Sequence, residues 1–326
     1  MRESEGDRII RAPARCRPMA GSVLPHRQVE FGTGDLRGLA YVRGPRGGSG
    51  MAGASRRWWD AGWRVLGRTA GRLTVPAGNQ LKVQLWEMPD LPSLPWLEEA
   101  GVQVLSLAGA GSAVGVLPHL RRLDGLQTLD LWSAPVDDDL LGDVGDCPWM
   151  EPLEGLNLWG TRVSDAGLTA LACRTQLRRL HVPGRRTGDA AMPCLASMTS
   201  LRELDLAGSS VTDRGLAELA GAPNLARLSL WGTAVSDDGL AWLATFPRLT
   251  DVDLGSTVVS DEGLHRLCLP RLKRISLLDS LVSPAGLQRL RGELPSCEID
   301  PPHREAGWAG QTPPPPPARR VRRASA

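Results

Sequence analysis

Two rhythms of apolar residues alternate along most of the chain. One stretch reads Leu201-Arg-Glu-Leu204-Asp-Leu206, with apolar side chains at every second position towards its end. Period-two spacing predicts a short β-strand with one face in a core. After Ala207-Gly208-Ser209 comes Val211-Thr212-Asp213-Arg-Gly215-Leu216-Ala-Glu-Leu219, where the spacing is helical and Thr212 or Asp213 suits a helix cap. The pair of halves returns as Leu225-Ala-Arg-Leu228-Ser-Leu230, then Val235-Ser236-Asp237-Asp-Gly239-Leu240. Units begin at Val102, Leu126, Leu153, Leu177, Leu201, Leu225, Leu249 and Leu272, that is, every 24 residues with one long and one short step. A degenerate unit surrounds Leu81 to Trp86, and Cys297-Glu298-Ile299 reads as a closing half-strand. No single unit buries its own leucines, but stacked units share one core.

This recurring Leu-x-x-Leu-x-Leu, with its Ser/Thr-Asp-x-Gly-Leu second half, resembles the leucine-rich repeat family. The variety is similar to repeats of many bacterial proteins and of F-box substrate receptors. The resemblance covers about two thirds of the chain and implies an α/β fold: a right-handed leucine-rich-repeat solenoid of about nine repeats, with parallel strands on the concave face and helices on the convex face. Thr161, Ser209, Thr233, Thr257 and Ser280 stand where the family often has Asn, and their hydroxyls are expected to bond the loop backbone. The Leu177 unit departs from the pattern, with Pro183, Arg185 and Arg186 at its turn. No F-box-like segment precedes the repeats.

Side chains on a strand alternate, so stacking the units aligns outward positions in columns. The column after the last strand leucine reads Trp86, Ala108, Trp132, Trp159, Pro183, Ala207, Trp231, Gly255, Leu278. The middle column reads Gln84, Ser106, Asp130, Asn157, His181, Asp205, Ser229, Asp253, Ser276, and the first runs from Lys82 through Arg179, Glu203, Arg227 and Asp251 to Arg274. Adjacent strands lie about 4.8 Å apart, which predicts that Trp132 and Trp159 are neighbours. Aromatic and arginine side chains dominate interface energetics. The expected partner-binding patch on the concave face is therefore Trp86, Asp130, Trp132, Asn157, Trp159, Arg179, His181, Asp205, Arg227, Trp231 and Asp253. Trp242 is expected to pack on the convex side.

Charge changes the picture of the ends. The chain of 326 residues carries 38 Lys+Arg and 36 Asp+Glu, a net charge of +2. Residues 1–57 hold 11 arginines against five acids, and residues 301–326 hold five arginines against one acid. The body between them has 22 basic and 30 acidic residues. The organisation expected is a disordered basic segment at 1–57, an N-terminal cap at 58–80, the solenoid at 81–300 and a disordered Pro/Arg-rich tail at 301–326. Trp59, Trp63 and Leu66 have the spacing of a short capping helix. No apolar run is long enough for a transmembrane helix, no signal peptide is read, and a cytoplasmic location is expected.

Candidate chemistry is sparse. The five histidines have no metal-ligand spacing, no phosphate-binding loop occurs, and His181 beside Asp205 lacks a nucleophile. No catalytic residue, metal or cofactor is expected. Asp165, Asp189, Asp213, Asp237 and Asp261 recur before the helices and are read as helix caps. The function expected is a non-enzymatic scaffold that binds a protein or peptide. The rivals are a substrate-recruiting adaptor of a ubiquitin-ligase-like complex, and an RNA- or membrane-associated protein that uses its basic ends for nucleic acid or an anionic membrane.

Overall fold

From Val104 onward each unit contributes a strand of only three residues, centred on the middle apolar residue of the repeat, as in Glu203–Asp205 around Leu204, so the sheet depends on stacking rather than on any single strand. The computed structural model describes residues 27–31, 37–43, 64–68, 71–75, 80–87, 101–111, 117, 123 and 125–300, except 173–175, 183, 268 and 270. Strand β5 (Gln80–Glu87) opens the solenoid. It is followed by β6 (Val104–Ser106), β7 (Thr128–Asp130), β8 (Gly155–Asn157), β9 (Arg179–His181), β10 (Glu203–Asp205), β11 (Arg227–Ser229), β12 (Asp251–Asp253), β13 (Arg274–Ser276) and β14 (Glu298–Asp300). These strands run parallel in chain order, each in register with the next, as in Leu204 between Leu180 and Leu228. Their central residues, Leu129, Leu156, Leu180, Leu204, Leu228, Val252 and Ile275, are all buried in one continuous apolar core. The second strand leucines, from Leu131 through Leu158 and Leu206 to Leu277, extend that core towards the turns.

The N-terminal cap differs from expectation. Arg37–Arg43 forms β2, which lies antiparallel between β5 and β3 (Arg64–Arg68) and so covers the open edge of the parallel sheet. Arg27–Phe31 (β1) pairs separately with Gly71–Val75 (β4). Thus Leu66 lies on a strand, not on a capping helix, and part of the segment read as lacking structure is in the sheet. The alternation through Leu39, Tyr41 and their neighbours was hidden by flanking Gly and Arg; Ala40 is fully buried. Trp58, Trp59, Trp63 and the tail at 301–326 lie outside the described residues.

The convex side carries α1 (Asp138–Gly145), α2 (Asp165–Ala172), α3 (Met192–Ser197), α4 (Asp213–Leu219), α5 (Leu240–Leu243), α6 (Asp261–Leu264) and α7 (Pro284–Glu293). Their recurring aspartates do not cap their own helices. Thr212, Ser260 and Ser283 are the caps, each accepting an N–H from the first turn. The aspartate instead reaches the next coil. Asp213 Oδ1 accepts the backbone N–H of Ser236 at 2.8 Å, and its Oδ2 accepts the Ser236 hydroxyl at 2.6 Å. Asp138 with Ser164, Asp189 with Thr212, Asp237 with Ser260 and Asp261 with Ser283 repeat this arrangement. Asp165 makes only the backbone half, to Gly188 at 2.8 Å, because Gly188 has no hydroxyl.

The glycine of the motif follows from the same link. A Cβ on Gly239 would lie 2.2 Å from Asp213 Oδ1, and one on Gly215 would lie 2.1 Å from Asp189 Oδ1. A side chain at this position would displace the carboxylate that ties two coils together. At the turns, the hydroxyls of Thr161, Thr233, Thr257 and Ser280 each donate to a strand carbonyl three residues earlier. Ser209 is the exception, with a buried hydroxyl that meets no partner.

Candidate functional site

The middle column was expected to face solvent, but much of it is covered. Asn157, His181 and Asp205 are buried, while Asp130 and Asp253 are half-buried. These small polar side chains lie between the tryptophan and arginine columns on strands about 4.8 Å apart. Their job is local. Asp130 accepts hydrogen bonds from the Ser106 hydroxyl at 2.8 Å, the Asn157 amide at 2.9 Å and the Trp132 backbone N–H at 3.2 Å. Asn157 in turn accepts the Trp159 N–H, Asp205 the Ala207 N–H and Asp253 the Gly255 N–H. Each side chain thus steadies the turn two residues ahead of it.

Burial shifts the acids of this column. It pushes Asp205 up to about 6, against the opposing pull of the Ala207 N–H. Asp253 is likewise pushed up to about 6 by burial, with the Gly255 N–H opposing. His181 Nδ1 lies 3.6 Å from Asp205 Oδ2, yet burial, reinforced by the Arg179 charge, holds the imidazole down to about 3. His181 is therefore a neutral core residue near pH 7.

The first column is internally paired. Arg179 crosses the strand of Gly155 to donate to Thr128 Oγ1 at 3.2 Å. Arg227 pairs with Glu203, and burial holds its guanidinium below the ordinary arginine value. Arg274 pairs with Glu298 at 2.8 Å and lies 3.9 Å from Asp251. Lys82 is buried, with its ammonium 5.6 Å from the centre of the Tyr41 ring. Arg179 and Arg227, both named in the expected patch, are held within the sheet by these contacts.

The tryptophan column is what reaches solvent. Trp132 and Trp159 stack, with ring centres 5.9 Å apart and planes 3° from parallel. Trp132 is half-buried, Trp159 is 37% exposed and Trp231 is 44% exposed. Trp86 lies on β5, and its side chain is outside the described residues. Trp242, expected to pack, is 43% exposed on the convex side.

Where the column drops to Ala207, a cleft of roughly 420 Å³ opens between Trp159 and Trp231. Its floor is Ala207 with Gly160, Gly184, Gly208 and Gly232, and Arg185 completes the lining. All four glycines have positive φ, from +64° to +83°, which a turn this tight requires. Of the cleft residues, the sequence reading named only Trp159 and Trp231 as binding residues. The signal for Arg185 was the irregular turn of the Leu177 unit.

The leucine-rich repeat family model matches residues 197–220. Among solved structures, an internalin (inlF) from Listeria monocytogenes is 18% identical with a TM-score of 0.41, covering 64% of this chain and 65% of that one. An internalin C2 from the same organism is 22% identical with a TM-score of 0.43, covering 61% of this chain and 80% of that one. The chain therefore spans slightly less than two thirds of the first internalin's length. No curated protein matches the sequence.

Proposed function

Because the chain is a leucine-rich-repeat protein, we propose that it is a non-enzymatic module that binds a protein or peptide on the concave side of its solenoid. The observation that carries this reading is the tryptophan column: three indoles on the rim of the sheet, two of them well exposed. Exposed aromatic side chains on a rigid support bind with little loss of conformational freedom. The buried polar column beneath fixes the turns that present them. His181, neutral and enclosed, supports a packing role rather than proton transfer. A scaffold in the cytoplasm is the corresponding cellular reading.

The test compares two faces of one molecule. The full chain carrying Trp159→Ala and Trp231→Ala is compared with the chain carrying Trp242→Ala, an equally exposed indole on the convex side. Partners captured by the unaltered chain are identified and their affinity is remeasured. The concave pair is expected to weaken binding by about tenfold or more, as for interface anchors. Trp242→Ala is expected to leave affinity unchanged. An equal loss from both would overturn the assignment of the binding face.

A further inference from the structure

The cleft between Trp159 and Trp231 is bordered by basic side chains within an acidic body. The unit from Leu177 to Ser200 carries four arginines and one aspartate, within a body of 22 basic and 30 acidic residues. Arg185 lines the cleft and Arg186 follows it, both exposed. Among the described residues, neither guanidinium has an ion-pair or hydrogen-bond partner, in contrast to Arg179, Arg227 and Arg274. No acidic side chain lines the cleft. The carboxyl of Asp205, in the middle column, is buried and accepts the Ala207 N–H rather than lining the cleft.

Building on the proposed concave binding role, we infer that this cleft seats an acidic peptide segment of a partner protein, with a proline or aromatic residue between Trp159 and Trp231 and a neighbouring carboxylate on Arg185 or Arg186. The two tryptophans follow β8 and β11, three strands apart, about 14 Å at ordinary strand spacing. The gap between them is wide enough for a side chain and too narrow for a folded surface. The glycine floor lets a peptide backbone come close; a Cβ on Gly208 would meet nothing within 4 Å. Arginine binds carboxylates through paired, charge-assisted hydrogen bonds, which gives the cleft its sign preference.

Tryptophan with arginine also suits single-stranded nucleic acid, but the neighbouring charges disfavour it. A phosphate backbone needs a continuous basic track. The unit from Leu126 to Pro152 carries seven acids and no base, so the arginines of the cleft are not continued as a basic track in that direction. The chain's own tail, Pro313 to Arg323, would bring four arginines to a cleft already rimmed by two.

A random-peptide display selection on the full chain tests the assignment, run in parallel on the Arg185→Glu/Arg186→Glu variant. Peptides enriched on the unaltered chain are expected to place Asp or Glu within two or three residues of Pro, Trp, Phe or Tyr. The charge-reversed variant is expected to lose affinity for them by about tenfold or more and to enrich Lys or Arg instead. Trp231→Ala is expected to weaken the same peptides. Several results would overturn the inference: no enrichment, enrichment of neutral or basic peptides, sequences resembling the Pro/Arg tail, indifference to charge reversal, or tighter binding of a single-stranded oligouridylate probe. If the Trp159/Trp231 pair still abolishes capture of a natural partner while charge reversal leaves that capture intact, the concave-face reading stands and the acidic-peptide assignment falls.

Discussion

Gly239 illustrates how one residue is dictated by another in a different coil. Its missing Cβ makes room for Asp213, which holds Ser236. Gly239→Ala is expected to cost about 1–3 kcal/mol, the range for overpacking. Combined with Asp213→Ala, the penalties should sum to less than their separate values by more than about 0.5 kcal/mol, because the clash and the link share a carboxylate. Urea unfolding of the two single variants and the double variant measures this coupling; strict additivity would contradict the contact. Asp205 supports a second prediction at the same scale. In the folded chain it keeps its proton up to about pH 6, whereas an unfolded aspartate loses it near 3.9. The folded state binds more protons between those values, so this residue's contribution to stability falls as pH rises through the window. His181 acts in the opposite sense: its contribution is present above about pH 6.5 and is lost as pH falls towards its folded value of about 3. Asp205→Asn keeps an acceptor for the Ala207 N–H, as Asn157 does for Trp159. Relative to the unaltered chain, it is expected to gain on the order of 1–3 kcal/mol in going from about pH 4.5 to about pH 7.5. Denaturant midpoints at the two values check this.

At the scale of the element, the weakest joint lies at the Leu177 unit. There the helical half begins with a single 3-10 turn, Asp189–Ala191, after Gly188, which offers no side-chain cap. Gly188 has an ordinary extended backbone, φ −128° and ψ −161°, and a Cβ there would sit at normal contact distance, 3.4 Å, from Asp165 Oδ2. Gly188→Ser would therefore supply the missing hydroxyl without strain. It is expected to stabilise the chain by about 0.5–1 kcal/mol, the value of a capping hydroxyl, and the gain should vanish in an Asp165→Ala background. Thermal unfolding of the four chains tests both parts. The sequence carried the strands and helices clearly, because each Leu-x-x-Leu-x-Leu is a local pattern. It did not carry the true use of Asp165, Asp189, Asp213, Asp237 and Asp261, since an aspartate at a helix start looks the same whether it caps its own helix or holds the next coil. Nor did it carry β2, whose apolar residues make sense only beside the uncovered edge of β5.

Across the whole molecule, the units are linked nearest neighbour to nearest neighbour, so local weakness is not shared out evenly. Among the described residues, the buried hydroxyls of Thr187 and Ser209, which meet no hydrogen-bond partner, fall in the two consecutive units from Leu177 to Asn224. A uniform solenoid frays from its ends. Here amide hydrogen exchange is expected to show an interior region around β9 and β10 opening more readily than β12 and its neighbours; protection rising steadily to a maximum at β9 would contradict this. The same region holds the cleft proposed above to accept a partner. The candidate site was legible in part: the indole column follows from spacing alone, and the stacking of Trp132 on Trp159 was foreseeable. The burial of Asn157, His181 and Asp205 was not, because it depends on packing between neighbouring coils, which a one-dimensional pattern does not encode.

The aspartate links also give the array a head and a tail. Every carboxylate points from one coil to the following one, beginning at Asp138 and passing through Asp261 to Ser283. After Ser283 the position held elsewhere by Asp is Pro284, which receives the chain of links and offers nothing onward. Units of this protein are therefore not interchangeable bricks. A copy of an interior unit inserted between Leu201 and Leu272 finds both a carboxylate waiting and a hydroxyl to hold, whereas a copy of the last unit inserted there would leave the next coil untied. Lengthening by whole interior units is expected to preserve the run of links, which ends at the single aspartate-to-proline exchange.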